Sequence, residues 1–390
     1  MATKRNTLFF LITLSALMAL TSLSTDIYLP ALPLMSRTLG GDAALTITGF
    51  LVGFAIAQLV WGPVSDRIGR RLPLFLGMLL FVAGSVGCAL AQSLPAVVFW
   101  RVFQALGACV GPMLSRAMVR DLFGTTRAAQ VLSSLAMIMV VAPLVGPLVG
   151  GLLLKVASWH AHFWLLAAIG VLMFVAVLRL PETLPPRRRA AGSLWSAFAR
   201  YRELLAHRVF MRYTFCVTSF YVAAYAFIAG SPFVYIDYFG INEAYYGFWF
   251  GVNIFGVFAL SAANRRLLRH FAIDRLLRAA TRFAAVFALV LVALVLAGVG
   301  GIWGIALPMF AVFSMNGIIA ACANAAALAS VDKSVGGAAA ALLGALQYGS
   351  GIVSSLLLAA FADGTPRPMA WLIAGAVVLS AVMVVRVKPR

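Results

Sequence analysis

The sequence predicts an all-α polytopic membrane protein with twelve transmembrane helices. Of its 390 residues 63% are hydrophobic and only 11% charged, with a mean hydropathy of +1.01, which leaves too little polar surface to cover a soluble globule. Apolar windows of about 20 residues, the length that crosses a bilayer core about 30 Å thick, recur along the whole chain. The net charge of +19 lies between these windows rather than along one soluble face, so it marks topology and not nucleic-acid binding.

Six windows form the first half: 8–34, 46–63, 72–92, 95–118, 130–154 and 162–180. Six more form the second: 210–238, 244–263, 276–298, 302–329, 336–361 and 369–386. A cytoplasmic N-terminus puts all but four of the 30 Lys and Arg residues on the cytoplasmic side, leaving Arg37, Lys155 and Arg367 outside and Arg101 within the membrane. Lys4 and Arg5 before an apolar run imitate a signal peptide. The run is too long for one and carries Asp26 and prolines, so no cleavage is expected.

The first window holds Thr25-Asp26-Ile27-Tyr28-Leu29-Pro30-Ala31-Leu32-Pro33. Asp26 lies roughly 27 Å beyond Leu8 along a helix, past the bilayer midplane. An ionised group costs several kcal/mol there, and function is its default explanation.

The second window ends in Gly62-Pro63-Val64-Ser65-Asp66-Arg67-Ile68-Gly69-Arg70-Arg71. Glycines permit a tight connection, and topology explains Arg67, Arg70 and Arg71. It does not explain Asp66 or the spacing of Gly62 and Gly69. In the fourth window Arg101 sits at a depth comparable with Asp26, so the deep acid and the deep base are expected to pair, with Gln104 one turn further on. Arg120 and Asp121 end that helix on the cytoplasmic side.

The fifth window contains Pro143-Leu144-Val145-Gly146-Pro147-Leu148-Val149-Gly150-Gly151. Gly146 and Gly150 share a helical face, and Pro143 and Pro147 free backbone carbonyls along it, which predicts close, bendable packing. Beyond the sixth window come Pro181-Glu182-Thr183-Leu184 and a basic stretch whose residues 195–206 suit a short amphipathic helix on the inner membrane surface. The chain thus divides into an N-terminal six-helix bundle (1–180), a cytoplasmic linker (181–208) and a C-terminal six-helix bundle (209–390). Gly49-Phe50-x-x-Gly53 is echoed by Gly247-Phe248-x-x-Gly251, and the same offset leads to Asp66-Arg67 in one half and Asn264-Arg265 in the other.

The second half has no deep charge. Its polar groups inside windows include Tyr221, Tyr225, Asn253, Asn316, Asn324, Gln347 and Tyr348. Tyr225, Asn253, Asn316, Asn324 and Gln347 are candidate cavity-lining residues, with Phe227, Phe233 and Trp249 as an aromatic wall. Cys88, Cys109, Cys216 and Cys322 are scattered over separate windows without CxxC spacing, so disulfides are not expected. His160 and His162, beside Trp159 and Trp164, read as an interfacial belt rather than half a metal site.

The loop after the second window resembles the signature of the major facilitator superfamily. TDIYLPALP, Arg101-Val102-Phe103-Gln104-Ala105-Leu106-Gly107 and the glycine–proline stretch of the fifth window narrow the resemblance to its Bcr/CflA group of twelve-helix drug:proton antiporters, and Pro181-Glu182-Thr183-Leu184 fits as well. The likeness implies the major facilitator fold, with Asp26, Tyr28, Arg101 and Gln104 coupling proton to substrate. It implies a conformational latch of Gly62, Asp66, Arg67, Gly69, Arg70, Arg71 and Asp121, with Asp66 also near the start of the eleventh helix, and an antiporter motif of Pro143, Gly146, Pro147, Gly150 and Gly151. Its cargo would be small amphipathic compounds, its coupling ion a proton and its site the cytoplasmic (inner) membrane, as a monomer.

An enzyme is disfavoured because no spaced His, Cys or Asp constellation falls within the windows, and a channel because no selectivity motif repeats. No G-x-x-x-x-G-K-[ST] loop is present, so the chain carries no ATP site of that kind and no cofactor is expected. A proton gradient supplies about 2.3 kcal/mol per 100 mV and about 1.4 kcal/mol per pH unit. Proton-coupled import, or export of a metabolite, by the same fold remains the open alternative.

Overall fold

The computed structural model describes residues 4–189, 194–332 and 335–385, and among them every regular element is a helix. Two compact units divide the chain, Met1–Ala197 and Phe198–Arg390. Eleven helical stretches of the described residues are long and apolar enough to cross a membrane, and a further 29-residue helix supplies the twelfth. Residues 190–193 of the linker and Arg386, the end of the last window, lie outside the described residues.

In the first unit the spans are α1 (Lys4–Asp26) continued by α2 (Leu32–Leu39), α3 (Leu45–Ile68), α4 (Arg71–Leu90), α5 (Leu94–Ala108) continued by α6 (Val110–Leu122), α7 (Thr125–Leu153) and α8 (His160–Leu178). The second contains most of α9 (Leu194–Ala206), then α10 (Arg208–Pro232) with a π-helical turn (Phe233–Tyr238), α11 (Glu243–Leu267), α12 (Ile273–Ala297), α13 (Trp303–Ser314) continued by α14 (Asn316–Ala329), α15 (Gly336–Ala360) and α16 (Arg367–Val385). Sequence windows and helices agree within a few residues, with the charged ends of several helices extending past the apolar windows.

Breaks within spans were not expected, and each has a local cause. The first span unwinds after Asp26, where Leu29–Ala31 tightens into a 3₁₀ turn because Pro30 and Pro33 cannot donate to preceding carbonyls. In the fourth span Pro112 has no N–H for the Ala108 carbonyl, and the Thr21 hydroxyl of α1 bonds that oxygen instead at 2.9 Å. The π turn of the seventh span follows Pro232.

Glycines set how closely the first unit packs. A Cβ on Gly49 would run into the Val98 carbonyl and one on Gly53 into the Val102 carbonyl, which seats α3 on α5. One on Gly84 would collide with the Gln104 backbone, and one on Gly107 with Gly77 O and Phe81 N, which seats α4 on α5. The second unit is closed by an aromatic core in which Phe227 stacks on Phe250 (5.9 Å between centroids) and tilts onto Phe313 (5.3 Å). Phe227 therefore belongs to the core and not to a cavity wall: its ring is fully buried.

Because Gly84 touches backbone and not the tip of a flexible side chain, Gly84→Val has no cheap relief. It is expected to cost about 1–3 kcal/mol, read as a lowered unfolding temperature of the purified protein by tryptophan fluorescence. An unchanged temperature would mean that α4 and α5 do not meet this closely.

Candidate functional site

Two polar sites lie toward opposite ends of the first unit. The deeper one forms where the first span breaks. α1 makes its last helical bond from Ile27 N to Leu23 O, so the Ser24 carbonyl loses its usual partner inside an apolar bundle. Arg101 Nη1 donates to that oxygen at 3.0 Å. The same guanidinium donates to Gln104 Oε1 (2.5 Å), to the Tyr28 hydroxyl (3.1 Å) and from Nε to the Thr46 carbonyl (3.3 Å). Gln104 in turn donates to Ser85 (2.8 Å), and Tyr28 shares a hydrogen bond with Thr46 (3.1 Å).

Arg101 is completely buried, which excludes snorkelling to the lipid interface. Its charge is offset by the Ser24 carbonyl at the C-terminal end of α1, where a helix dipole favours a cation. It is offset also by the faces of Phe50 and Tyr28, whose ring centres lie 4.3 and 4.5 Å from the guanidinium carbon. The expected pairing with Asp26 is not what the structure contains. Asp26 is buried and accepts from Thr25 Oγ1 at 3.0 Å, but it makes neither a hydrogen bond nor an ion pair with Arg101. The arginine is occupied by carbonyls, a phenol and an amide, while Asp26 is turned toward α7.

That side of α7 is the glycine–proline stretch. A Cβ on Gly146 would sit 3.2 Å from the Asp26 Cβ, and one on Gly150 would overlap the Ile27 carbonyl. Pro143 and Pro147 lie inside the helix, and Gly151 is buried beside them. The motif thus seats the fifth span against the break in the first. The structure brings Asp26, Tyr28, Arg101, Gln104, Gly146 and Gly150 into one neighbourhood, together with Ser24, Thr46, Phe50 and Phe163, which sequence reading missed. Ser24 acts through its backbone, which no side-chain pattern reveals.

The second site caps the loop between α3 and α4. Arg70 donates from Nη1 to Asp66 (2.6 Å) and Ser65 (2.8 Å) and from Nε to Asp121 (3.0 Å), so the three expected residues meet. Gly69 has φ +103°, where a side chain is strained, and a Cβ there would strike the Glu182 carboxylate. Glu182 is the residue the sequence underrated: it accepts from Arg70 N (2.9 Å) and Arg71 N (3.1 Å) at the start of α4, an N-terminal anion site. Partial burial disfavours its charge, but the backbone N–H groups of Arg70, Leu184, Arg71 and Thr183 outweigh this and hold its carboxyl below the usual range. This anchor is at full strength above the ordinary glutamate range and is lost as pH falls through the lowered value. Arg71 Nη2 bonds the Leu178 carbonyl (2.6 Å) and Arg67 the Pro63 carbonyl (2.9 Å), so these two tie the loop to helix ends. Nothing touches the Cα face of Gly62.

In the second unit Gln347 donates to Asn324 at 2.6 Å, joining α15 to α14, and Tyr225 packs against Tyr221 and Tyr348. Asn253 donates to the Trp249 carbonyl, and the Oδ1 atoms of Asn253 and Asn316 are buried without a hydrogen-bond partner among the described residues. Asn264, at the position echoing Asp66, is buried and accepts weakly from Cys322 (3.5 Å).

The two glycines of α7 differ in room, which makes a graded test. Gly150→Ala meets backbone and should cost about 1–3 kcal/mol, whereas Gly146→Ala should stay within about 1 kcal/mol, both read by thermal unfolding. Equal effects would argue against this packing of α7 on the break.

The family model described as Major Facilitator Superfamily matches residues 14–356. An uncharacterized MFS-type transporter, YdgK of Bacillus subtilis (strain 168), is 38% identical over 256 residues, spanning 64% of this chain and 63% of that protein. The bicyclomycin resistance protein homolog of Haemophilus influenzae (strain ATCC 51907 / DSM 11121 / KW20 / Rd) is 26% identical over 381 residues, 97% of this chain and 95% of its own. Among solved structures a D-xylose-proton symporter superposes with a TM-score of 0.75 over 98% of both chains at 15% identity, a likeness of fold. The chain is a multi-pass membrane transporter and not an enzyme, and it belongs to the major facilitator superfamily.

Proposed function

We propose that this transporter is a drug:proton antiporter, exporting small amphipathic compounds across the cytoplasmic membrane by alternating access, as a monomer with both termini in the cytoplasm. The observation that carries the reading is the buried Asp26 carboxylate at the broken end of α1, a break held by the hydrogen bonds of a buried cation. A membrane-buried acid beside a bendable backbone is suited to gaining and losing a proton as water access alternates. Proton and cargo would use one region in turn, which is the simplest physical basis of exchange. Kinship with a bicyclomycin resistance homologue supports the direction and the cargo class.

The driving force is adequate. At about 100 mV and one pH unit a proton supplies roughly 3.7 kcal/mol, enough for a several-hundred-fold gradient of a neutral compound. The Asp66–Arg70–Asp121 cluster at the other end would act as a latch whose bonds belong to one conformation. Cavity lining by Tyr225, Asn253, Asn316, Asn324 and Gln347 is part of the same proposal.

A growth screen against a compound panel in a pump-deficient strain, followed by efflux assays in everted vesicles, tests the reading. Asp26→Asn mimics the protonated acid permanently and should abolish active efflux and substrate-induced proton release at normal membrane abundance. Arg101→Ala should be at least as damaging, since Gln104, Tyr28 and two carbonyls lose their donor at about 1–3 kcal/mol each. Near-wild-type, pH-driven transport by Asp26→Asn would remove that residue from the mechanism, and uptake in place of efflux would favour an importer. For the latch, Asp66→Ala should slow turnover while leaving substrate affinity within a few fold; loss of affinity at unchanged turnover would count against it.

A further inference from the structure

His162, in the first turn of α8, is completely enclosed, and both of its ring nitrogens face backbone carbonyls. Nδ1 lies 3.0 Å from the Trp159 oxygen and Nε2 lies 3.0 Å from the Gly150 oxygen. A carbonyl oxygen only accepts. A neutral imidazole carries one N–H and one bare lone pair, so it can satisfy one of these contacts and must set lone pair against lone pair in the other; the imidazolium donates to both. Burial opposes the imidazolium, and the Gly150 and Trp159 carbonyls favour it; Gly150 O belongs to the last turn of α7, whose dipole favours a cation, while the first turn of α8 acts in the opposite sense.

We propose that His162 is a second proton-binding site of this transporter, doubly protonated in this conformation and clamping α8 to α7 beside Asp26. Its neighbours give the clamp a consequence. Gly150 is held between the His162 ring and the Ile27 carbonyl. The adjacent Phe163 packs on Tyr28 at 5.5 Å and reaches to 5.9 Å from the Arg101 guanidinium. Loss of the His162 proton turns one 3.0 Å bond into a repulsion, and relief by movement of the first turn of α8 draws Phe163 away from the Arg101 network. Titratable and charged groups on the surrounding elements are Asp26 on α1, Tyr28 in the break after it, Cys88 on α4, His160 on α8 itself, Arg101 on α5 beyond the Phe163 ring, and Lys155 past the end of α7. His160 stacks on Trp159 and bonds Ser158, so the two histidines occupy different environments, and neither the aromatic belt nor a shared metal accounts for His162.

The role in transport rests on the proton-coupled reading, but the protonation state is testable without it. The full chain, labelled with ¹⁵N-histidine and held in nanodiscs of phosphatidylethanolamine and phosphatidylglycerol, contains four histidines, and His162→Gln identifies the signal of interest by subtraction. At about pH 7.5, a unit above the ordinary histidine range near 6.5, that signal should show two protonated nitrogens. One protonated and one bare nitrogen overturns the proposal. The second arm compares unfolding temperatures of wild type and His162→Gln across pH. A proton bound by the folded form gives wild type its largest advantage at the acid end, shrinking as pH rises; a gap of constant size, the mark of a merely structural histidine, overturns the proposal. An imidazolium in a protein whose efflux ignores pH would support the site and refute only proton-driven export.

Discussion

The first unit is organised by one constraint: a helix that stops inside an apolar bundle must find partners for the carbonyls it frees. A buried carbonyl without a partner costs about 1–3 kcal/mol and has no water to turn to in the bilayer core. Pro30 and Pro33 stop α1 just past Asp26, and Arg101, reaching across from α5, donates to the freed Ser24 oxygen. This explains an arginine in the middle of a membrane better than an ion pair would. A cation spread over carbonyls, an amide, a phenol and ring faces keeps its desolvation compensated without requiring a fixed anion. Asp26 is thereby left without a hydrogen bond or ion pair to that cation.

The same break dictates the glycines of α7. Where the chain leaves helical geometry its freed carbonyls point sideways, and a backbone lacking side chains can lie close against them. Gly150 meets the Ile27 carbonyl and Gly146 the Asp26 Cβ. The motif recognised by spacing is, in physical terms, the complement of the motif in the first span. The site around Arg70 follows different rules. Asp66 is 54% exposed and the pair lies one helical turn apart, so that bond alone contributes about 0–1 kcal/mol. Asp121 and the Glu182 anchor bring the remaining order, because they tie the loop to residues far along the chain.

How much of this was legible in the sequence depended on which signals are local. The spans were, since twenty apolar residues have few alternative explanations, and so were Asp26, Arg101 and the Asp66 loop, whose charges conflict with their surroundings. Partnerships were not. Matching depth suggested that Asp26 and Arg101 pair, but depth does not say which way a side chain turns, and a backbone carbonyl competing for the arginine leaves no trace in residue identity. Phe227 read as a cavity wall because aromatic composition cannot separate a wall from a core. His162 was hidden by its place beside Trp164, whose interfacial character it shares in sequence but not in burial, and Glu182 by the 112 positions separating it from Arg70.

The two units treat polarity in different ways, and the difference bears on transport. In the first, Ser85, Gln104, Arg101, Tyr28 and Thr46 are bonded into one network around a cation, with Asp26 outside it. In the second, no charge lies deep among the described residues, and the oxygens of Thr214, Thr218, Tyr235, Asn253, Ser314 and Asn316 are buried without a hydrogen-bond partner among them, three at or near the break between α13 and α14 or on the helix packed against it. Each such group costs free energy unless something outside the chain meets it. A network complete in itself resists change. Amides and hydroxyls with spare acceptor capacity beside aromatic rings can meet many different partners, each at moderate gain.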